Sequence, residues 1–258
     1  ASYRVGNGQI GNVGAEAIAH VVTSLGGVIT AVRNPMPAAG GVDPEEVEAV
    51  RRDAPQAFHG QKRAVTARDY ADAAERYYEV QGAVANFRWT GSWRTVFVSA
   101  DRFGGGPVDA PLAARLRRQL ESVRMAGYDL EVVPPHFVPL DIRLHVCAKS
   151  GFFRSDVLKR VGQVLSSAAL PDGTLGLFHP DLLSFGAPVY LSRIIAAAQA
   201  VEGVDSVHAE RFQRLINPDP LSLDLGVVDI GALEIAQLAN NPNFPERGLL
   251  VLSGGGGK

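Results

Sequence analysis

The sequence predicts an α+β fold: antiparallel or mixed sheets with helices packed on one face, close to split-βαβ modules. Three observations carry that expectation. From residue 94 to 215 the elements read β-α-β-β-α-loop-α-β, without the strict alternation a doubly wound sheet requires. In VPLDIRLHVCAK (138–149), Leu140, Ile142, Leu144 and Val146 fall on one strand face, and Asp141, Arg143, His145 and Cys147 on the other. Leu112, Leu116, Leu120 and Val123 recur at helical spacing, with Gly127 placed to end the helix.

Four regions follow. Residues 1–35 are expected to be β-rich, the end of a larger N-terminal domain, with a strand over GGVITAVRN (26–34). Residues 36–77 read as a helical connector. It opens on the breaker NPMPAAGG and holds two capped helices, one begun by Asp43-Pro44-x-Glu46 and one by Thr66 with Asp69. Residues 78–216 form the α/β sandwich. Its strands are RTVFVSAD (94–101), YDLEVV, the stretch at 138–149 and VDSVHAERFQRL. Its later helices carry Val157, Leu158, Val161, Val164 and Leu165, then Leu191, Ile194, Ile195, Ala198 and Val201 before Gly203. Residues 217–258 are Pro-, Asn- and Gly-punctuated and predict an extended docking tail with one helical run, ALEIAQLA.

Composition narrows the function. The 258 residues are 46% hydrophobic and 20% charged, enough apolar material for a core without metal or disulfide. A net charge of −2 supplies no basic field for nucleic acid. Cys147 stands alone, so no internal disulfide forms. No apolar run is long enough to insert in a membrane, and the first residues lack the pattern of a signal peptide, so cytoplasmic assembly is expected. The start at Ala1 and the glycine run before Lys258 point to a processed chain or a piece of a longer one.

The chemical motifs are thin. Gly6, Gly8 and Gly11 spell GxGxxG, the mark of a nucleotide-cofactor-dependent oxidoreductase, but no acidic residue stands about 20 positions on to hold a ribose. Glycines 104–106 lack the Lys-Ser/Thr of a phosphate loop. His145 and Cys147 are too few to make a zinc site. His179 beside Asp181 has the residue types of a hydrolytic base and its orienter, yet a turn stabilised by Pro180 and Asp181 is the better reading. No catalytic, cofactor-binding or metal-binding residue is therefore assigned. The densest unusual stretch is NFRWTGSWRTV (86–96), where Trp89 and Trp93 are flanked by Arg88 and Arg94. Such residues are enriched where proteins dock, and two core tryptophans bracketing a hairpin are an equal alternative. With Asn243 and Phe244 of the tail, these four form the candidate interface set.

Several blocks carry a resemblance: RAVTARDYADAA (63–74), NFRWTGSWRTVFVSAD (86–101), AGYDLEV with FVPLDIRLHVC (126–147), LGLFHPDLLSFGAPVYLSRI (175–194), EIAQLANNPNFPERGLLVL (234–252) and the opening YRVGNGQIGNVGAEAI. In order, they resemble the baseplate assembly proteins of contractile injection systems, the wedge components related to phage baseplate protein J. The resemblance implies a non-enzymatic structural part that needs no cofactor. It implies partners too: copies of the chain, a second wedge protein, the central spike hub and sheath-proximal components. Family members are usually longer, in keeping with Ala1 as an internal start. The family carries no catalytic residues to transfer.

Overall fold

The computed structural model describes residues 6–21, 29, 31–38, 40–57, 62–170 and 173–258. The chain divides into two units, Ala1–Gln61 and Lys62–Lys258.

In the first unit the described residues hold a 3-10 turn, Gly8–Gly11, and the helix α1, Val47–Ala57. They include no strand. Of the strand expected at 26–34, residues 26–28 and 30 lie outside the described residues, and 29 and 31–34 are not in a ladder. Asparagine side chains take over the backbone pairing instead. Asn34 accepts from the Ile18 amide at 2.8 Å and donates to the carbonyls of Gly14 and Met36 at 2.9 and 3.0 Å. Asn12 exchanges two 2.8 Å bonds with Gly41. Side chains that satisfy backbone groups locally compete with sheet formation, and at these described positions they hold the chain outside a ladder. Asp43 also departs from its expected role. Helix α1 begins later, with Val50 bonding back to Glu46, while the Asp43 carboxylate accepts from the Gln9 amide at 2.9 Å.

The second unit contains two modules. The first runs through α2 (Ala67–Glu75), β1 (Val80–Trp89), β2 (Arg94–Arg102), α3 (Ala110–Glu121) and β3 (Tyr128–Val133). Helix α2 starts with the predicted capping box: Thr66 Oγ1 accepts from the Asp69 amide at 3.2 Å, and Asp69 accepts from the Thr66 amide at 2.8 Å. Backbone donors at Thr66 and Val65 hold the Asp69 carboxyl below its ordinary pKa. Helix α3 is capped by Asp109 and buries Leu112, Leu116 and Leu120. It ends at Glu121, and Gly127 (φ +86°) serves the turn into β3 rather than the helix stop. The sheet order is β1-β2-β3, with β1 antiparallel and β3 parallel to β2. The parallel pair are direct neighbours, whereas a split unit places a strand between them. Tyr70, Ala74 and the three leucines pack on Val96, Val98, Ala100 and Leu130.

The second module is built on β4 (His136–Ala148), with α4 (Arg154–Val164), β5 (Val189–Tyr190), α5 (Leu191–Gln199), β6 (Val204–Arg214), α6 (Ser222–Leu225), β7 (Val227–Val228), β8 (Glu234–Gln237) and β9 (Leu249–Gly256). The alternation predicted for β4 holds: Leu140, Ile142, Leu144 and Val146 are buried against Val157, Val161, Ile194 and Ala198 of α4 and α5. Strand β6 lies antiparallel along one side of β4. Residues 217–258, expected as an extended docking tail, supply the other side. The first half of β4 pairs in parallel with β8 and the second half with β9. ALEIAQLA is thus a strand, not a helix. Its apolar run fits either period, and pairing with His136–Pro139 decides it.

Because Pro139 opposes Gln237 and Asp141 opposes Leu249, β8 and β9 continue one line, interrupted by residues 239–248. That interruption is an Ω-loop with a stitched neck. Ala239 donates to the Arg247 carbonyl at 2.9 Å, and the Leu250 amide donates to Asn240 Oδ1 at 3.0 Å.

Candidate functional site

Two exposed features and one buried junction stand out in the Lys62–Lys258 unit. The first is the β1–β2 hairpin tip. Gly91 adopts φ +99°, the Thr90 amide donates to the Trp93 carbonyl at 3.0 Å, and Thr90 Oγ1 does the same at 3.0 Å. This tight turn lifts both indoles out of the core: Trp89 is 67% and Trp93 59% exposed. The core-tryptophan alternative is thereby set aside. Arg88 lies over the Phe97 ring at 4.9 Å, and Arg94, opposite Trp89 in the ladder, is exposed. A rigid turn presenting two aromatic rings beside guanidinium groups has the composition of a protein contact.

The second feature is the Ω-loop. Asn243 is exposed and Phe244 is 44% exposed, with Arg247 stacked at 4.7 Å over its ring. Arg247 also lines a cavity that contains Asp101 from the far end of β2. The length of β2, about 26 Å at roughly 3.3 Å per residue, separates that end from the tryptophan tip. The six candidate interface residues therefore form two patches: Arg88, Trp89, Trp93 and Arg94 at the tip, and Asn243 and Phe244 on the Ω-loop.

The junction joins the two modules through residues 179–183. Asp181 Oδ1 accepts from the Gly104 amide at 2.6 Å, and Gln81 Nε2 donates to the carbonyls of Pro180 and Leu183 at 3.4 and 3.3 Å. Gly105 (φ +66°) packs so closely on Pro180 that a Cβ would fall 2.6 Å from its ring. His179 Nδ1 accepts from the Asp181 amide at 3.2 Å and caps this short 3-10 turn. The turn is present as read, but the His179 ring stabilises it rather than the Asp181 side chain, whose carboxylate turns to the Gly104 amide.

Next to them, Asp101 is 3% exposed. Burial pushes its pKa up to about 6; the Arg102 amide works the other way, and the Asp181 charge adds to the rise. A carboxyl whose folded pKa stands above its ordinary value contributes stability that is fully present below pH ~4. That contribution is lost as pH rises through about 6. Asp101→Asn is therefore expected to stabilise the protein at pH 7.5 by ~1–2 kcal/mol, reduced by screening through the cavity mouth. The two proteins should converge near pH ~4. Urea unfolding at both pH values measures this, and a variant less stable at pH 7.5 would contradict it.

The remaining motifs resolve locally. The Gly6-Gly8-Gly11 turn points its Gln9 amide at the Asp43 carboxylate, so a negative charge already sits where a phosphate would bind. His145 Nδ1 bonds Ser253 Oγ at 2.8 Å. Among the described residues no three His, Cys, Asp or Glu side chains converge as a metal site.

Residues 62–133 match the family model described as the Baseplate J-like central domain. That range begins at the first residue of the second unit and ends on the last residue of β3, so it spans the first module. The match supports a baseplate protein, and the tryptophan tip falls within the matched residues. No curated protein matches the chain. Among solved structures, one similar chain belongs to the cryo-EM structure of the anti-feeding prophage baseplate, with 13% identity and a TM-score of 0.45. The likeness covers 91% of this chain and 48% of that one, so this chain spans about half the length of the structure it matches.

Proposed function

We propose that the chain is a structural wedge subunit of the baseplate of a contractile injection system. In this reading it assembles with copies of itself and a second wedge protein around the central spike hub, beneath sheath-proximal components. The observation that carries the reading is the match of residues 62–133 to the Baseplate J-like central domain. The exposed tryptophan tip and the Ω-loop support it as contact-forming surfaces, and the family suggests a part that works by holding rather than by catalysis. Among the described residues, no helix is long and apolar enough to cross a membrane. Assembly in the cytoplasm into a particle belongs to the same proposal.

Electron microscopy of particles from cells lacking the chain tests it. The expected result is the loss of complete sheathed particles, restored by re-expression of the full protein. Normal particles in its absence would rule the wedge role out.

A further inference from the structure

At the junction between the two modules of the second unit a buried carboxylate stands without a cationic partner among the described residues. A cavity of about 250 Å³ is lined there by Asp101, Ser167, Phe178, Leu238 and Arg247 among others. The Asp101 carboxylate, 3% exposed, receives a hydrogen bond from the backbone of Arg102 and forms no ion pair among the described residues. Its charged neighbour across the junction is another carboxylate, Asp181. Beside them, Gln81 gives its amide protons to Pro180 and Leu183, and its Oε1 is left buried without a donor. Of the cations nearby, Arg247 itself lines the cavity but forms no ion pair with Asp101 among the described residues. Arg102 pairs with Glu79 at 2.7 Å and Asp109 at 3.8 Å, Arg115 pairs with Glu79 at 2.9 Å, and Arg247 stacks on Phe244. His179 is taken up by the Asp181 amide.

We propose that this cavity is a socket for an arginine side chain presented by a neighbouring baseplate subunit. A buried carboxylate in the cavity wall, with no ion pair of its own and the charge of Asp181 behind it, calls for a group with several donors and a positive charge. Guanidinium supplies five N–H groups in a planar fork, and Phe178 and Leu238 offer apolar wall for its stem. That the arginine comes from a baseplate subunit rests on the proposed function. The chemistry of the socket does not.

The test uses the full chain, isotope-labelled at its aspartate carboxyls, titrated with Nα-acetyl-arginine N-methylamide while the Asp101 signal is followed by NMR. Saturating probe is expected to make Asp101 about tenfold more acidic. The uncharged citrulline counterpart should leave it unchanged, and Asp101→Asn should abolish the calorimetric heat of binding. An Asp101 signal that the arginine probe leaves in place, or that citrulline moves equally, overturns the socket. So does Arg247→Gln if it alone weakens the acidity of Asp101 tenfold, since the chain's own guanidinium would then be the counter-charge. Probe binding by a chain that never enters baseplates would instead sink the wedge reading and leave the socket standing.

Discussion

Changing both Trp89 and Trp93 to alanine is expected to abolish incorporation into the baseplate while leaving the fold intact. The rings lie mostly outside the core, and the turn that carries them is fixed by the bonds from the Thr90 amide and hydroxyl to the Trp93 carbonyl. Their removal therefore changes the surface and not the β1–β2 ladder. An aromatic anchor at a protein contact contributes about 2 kcal/mol or more, so each lost ring weakens binding roughly 30-fold. Co-purification with partner subunits, measured beside thermal unfolding, reads both effects. Unchanged co-purification with an unchanged melting temperature would show that the tip is no contact. A melting temperature lowered by several degrees would show that the rings belong to the fold.

Gly248→Val should have the largest effect on stability. Gly248 adopts φ +104°, and a Cβ there would meet the Gln237 carbonyl at 2.7 Å, Leu238 Cα at 3.0 Å and the Leu140 carbonyl at 3.2 Å. All three are backbone atoms, of β4, of β8 and of the residue that follows β8, which cannot step aside as a flexible side chain can. Strain at a positive φ combined with overpacking is expected to cost about 3 kcal/mol or more. The loss should centre on β9. Urea unfolding with hydrogen exchange at residues 249–256 will test this, and a variant within ~0.5 kcal/mol of the wild type would disprove the closed neck.

What the sequence made legible was what depends on local period. The alternation of β4, the leucines of α3 and the Thr66 cap all appear as read, because each is set by neighbours a few residues away. The tryptophan tip was also visible, since Trp and Arg around a Gly-Ser turn are conspicuous in any register. Pairing across distance was not visible. Glu234–Gln237 uses helix-favouring residues yet becomes a strand, because β4 offers an unpaired edge almost a hundred positions earlier. Asp43 looked like a cap and instead serves Gln9, a partner far upstream. The junction was missed for the same reason. Asp101 reads as the polar end of an alternating strand, and only the fold brings Asp181 and Gln81 beside it. An acid closing an apolar strand ahead of three glycines was the one available signal.

The parallel pairing of β4 with β9 has a mechanical consequence. A load applied between residue 136 and residue 258 runs along the strand axis. The ladder from Asp141–Leu249 to Ala148–Gly256 is then strained in shear, all bonds together, rather than opened one at a time. Glycines 254–256 fit this arrangement by letting β9 lie flush: a Cβ would meet Arg154 and Leu158 at 2.9 Å at Gly254, and His145 at 2.9 Å at Gly255. Single-molecule pulling between those residues should give one high-force rupture, and stepwise unzipping at low force would contradict it. A seam that gives way only as a unit keeps the second module whole until the load exceeds the strength of the entire ladder.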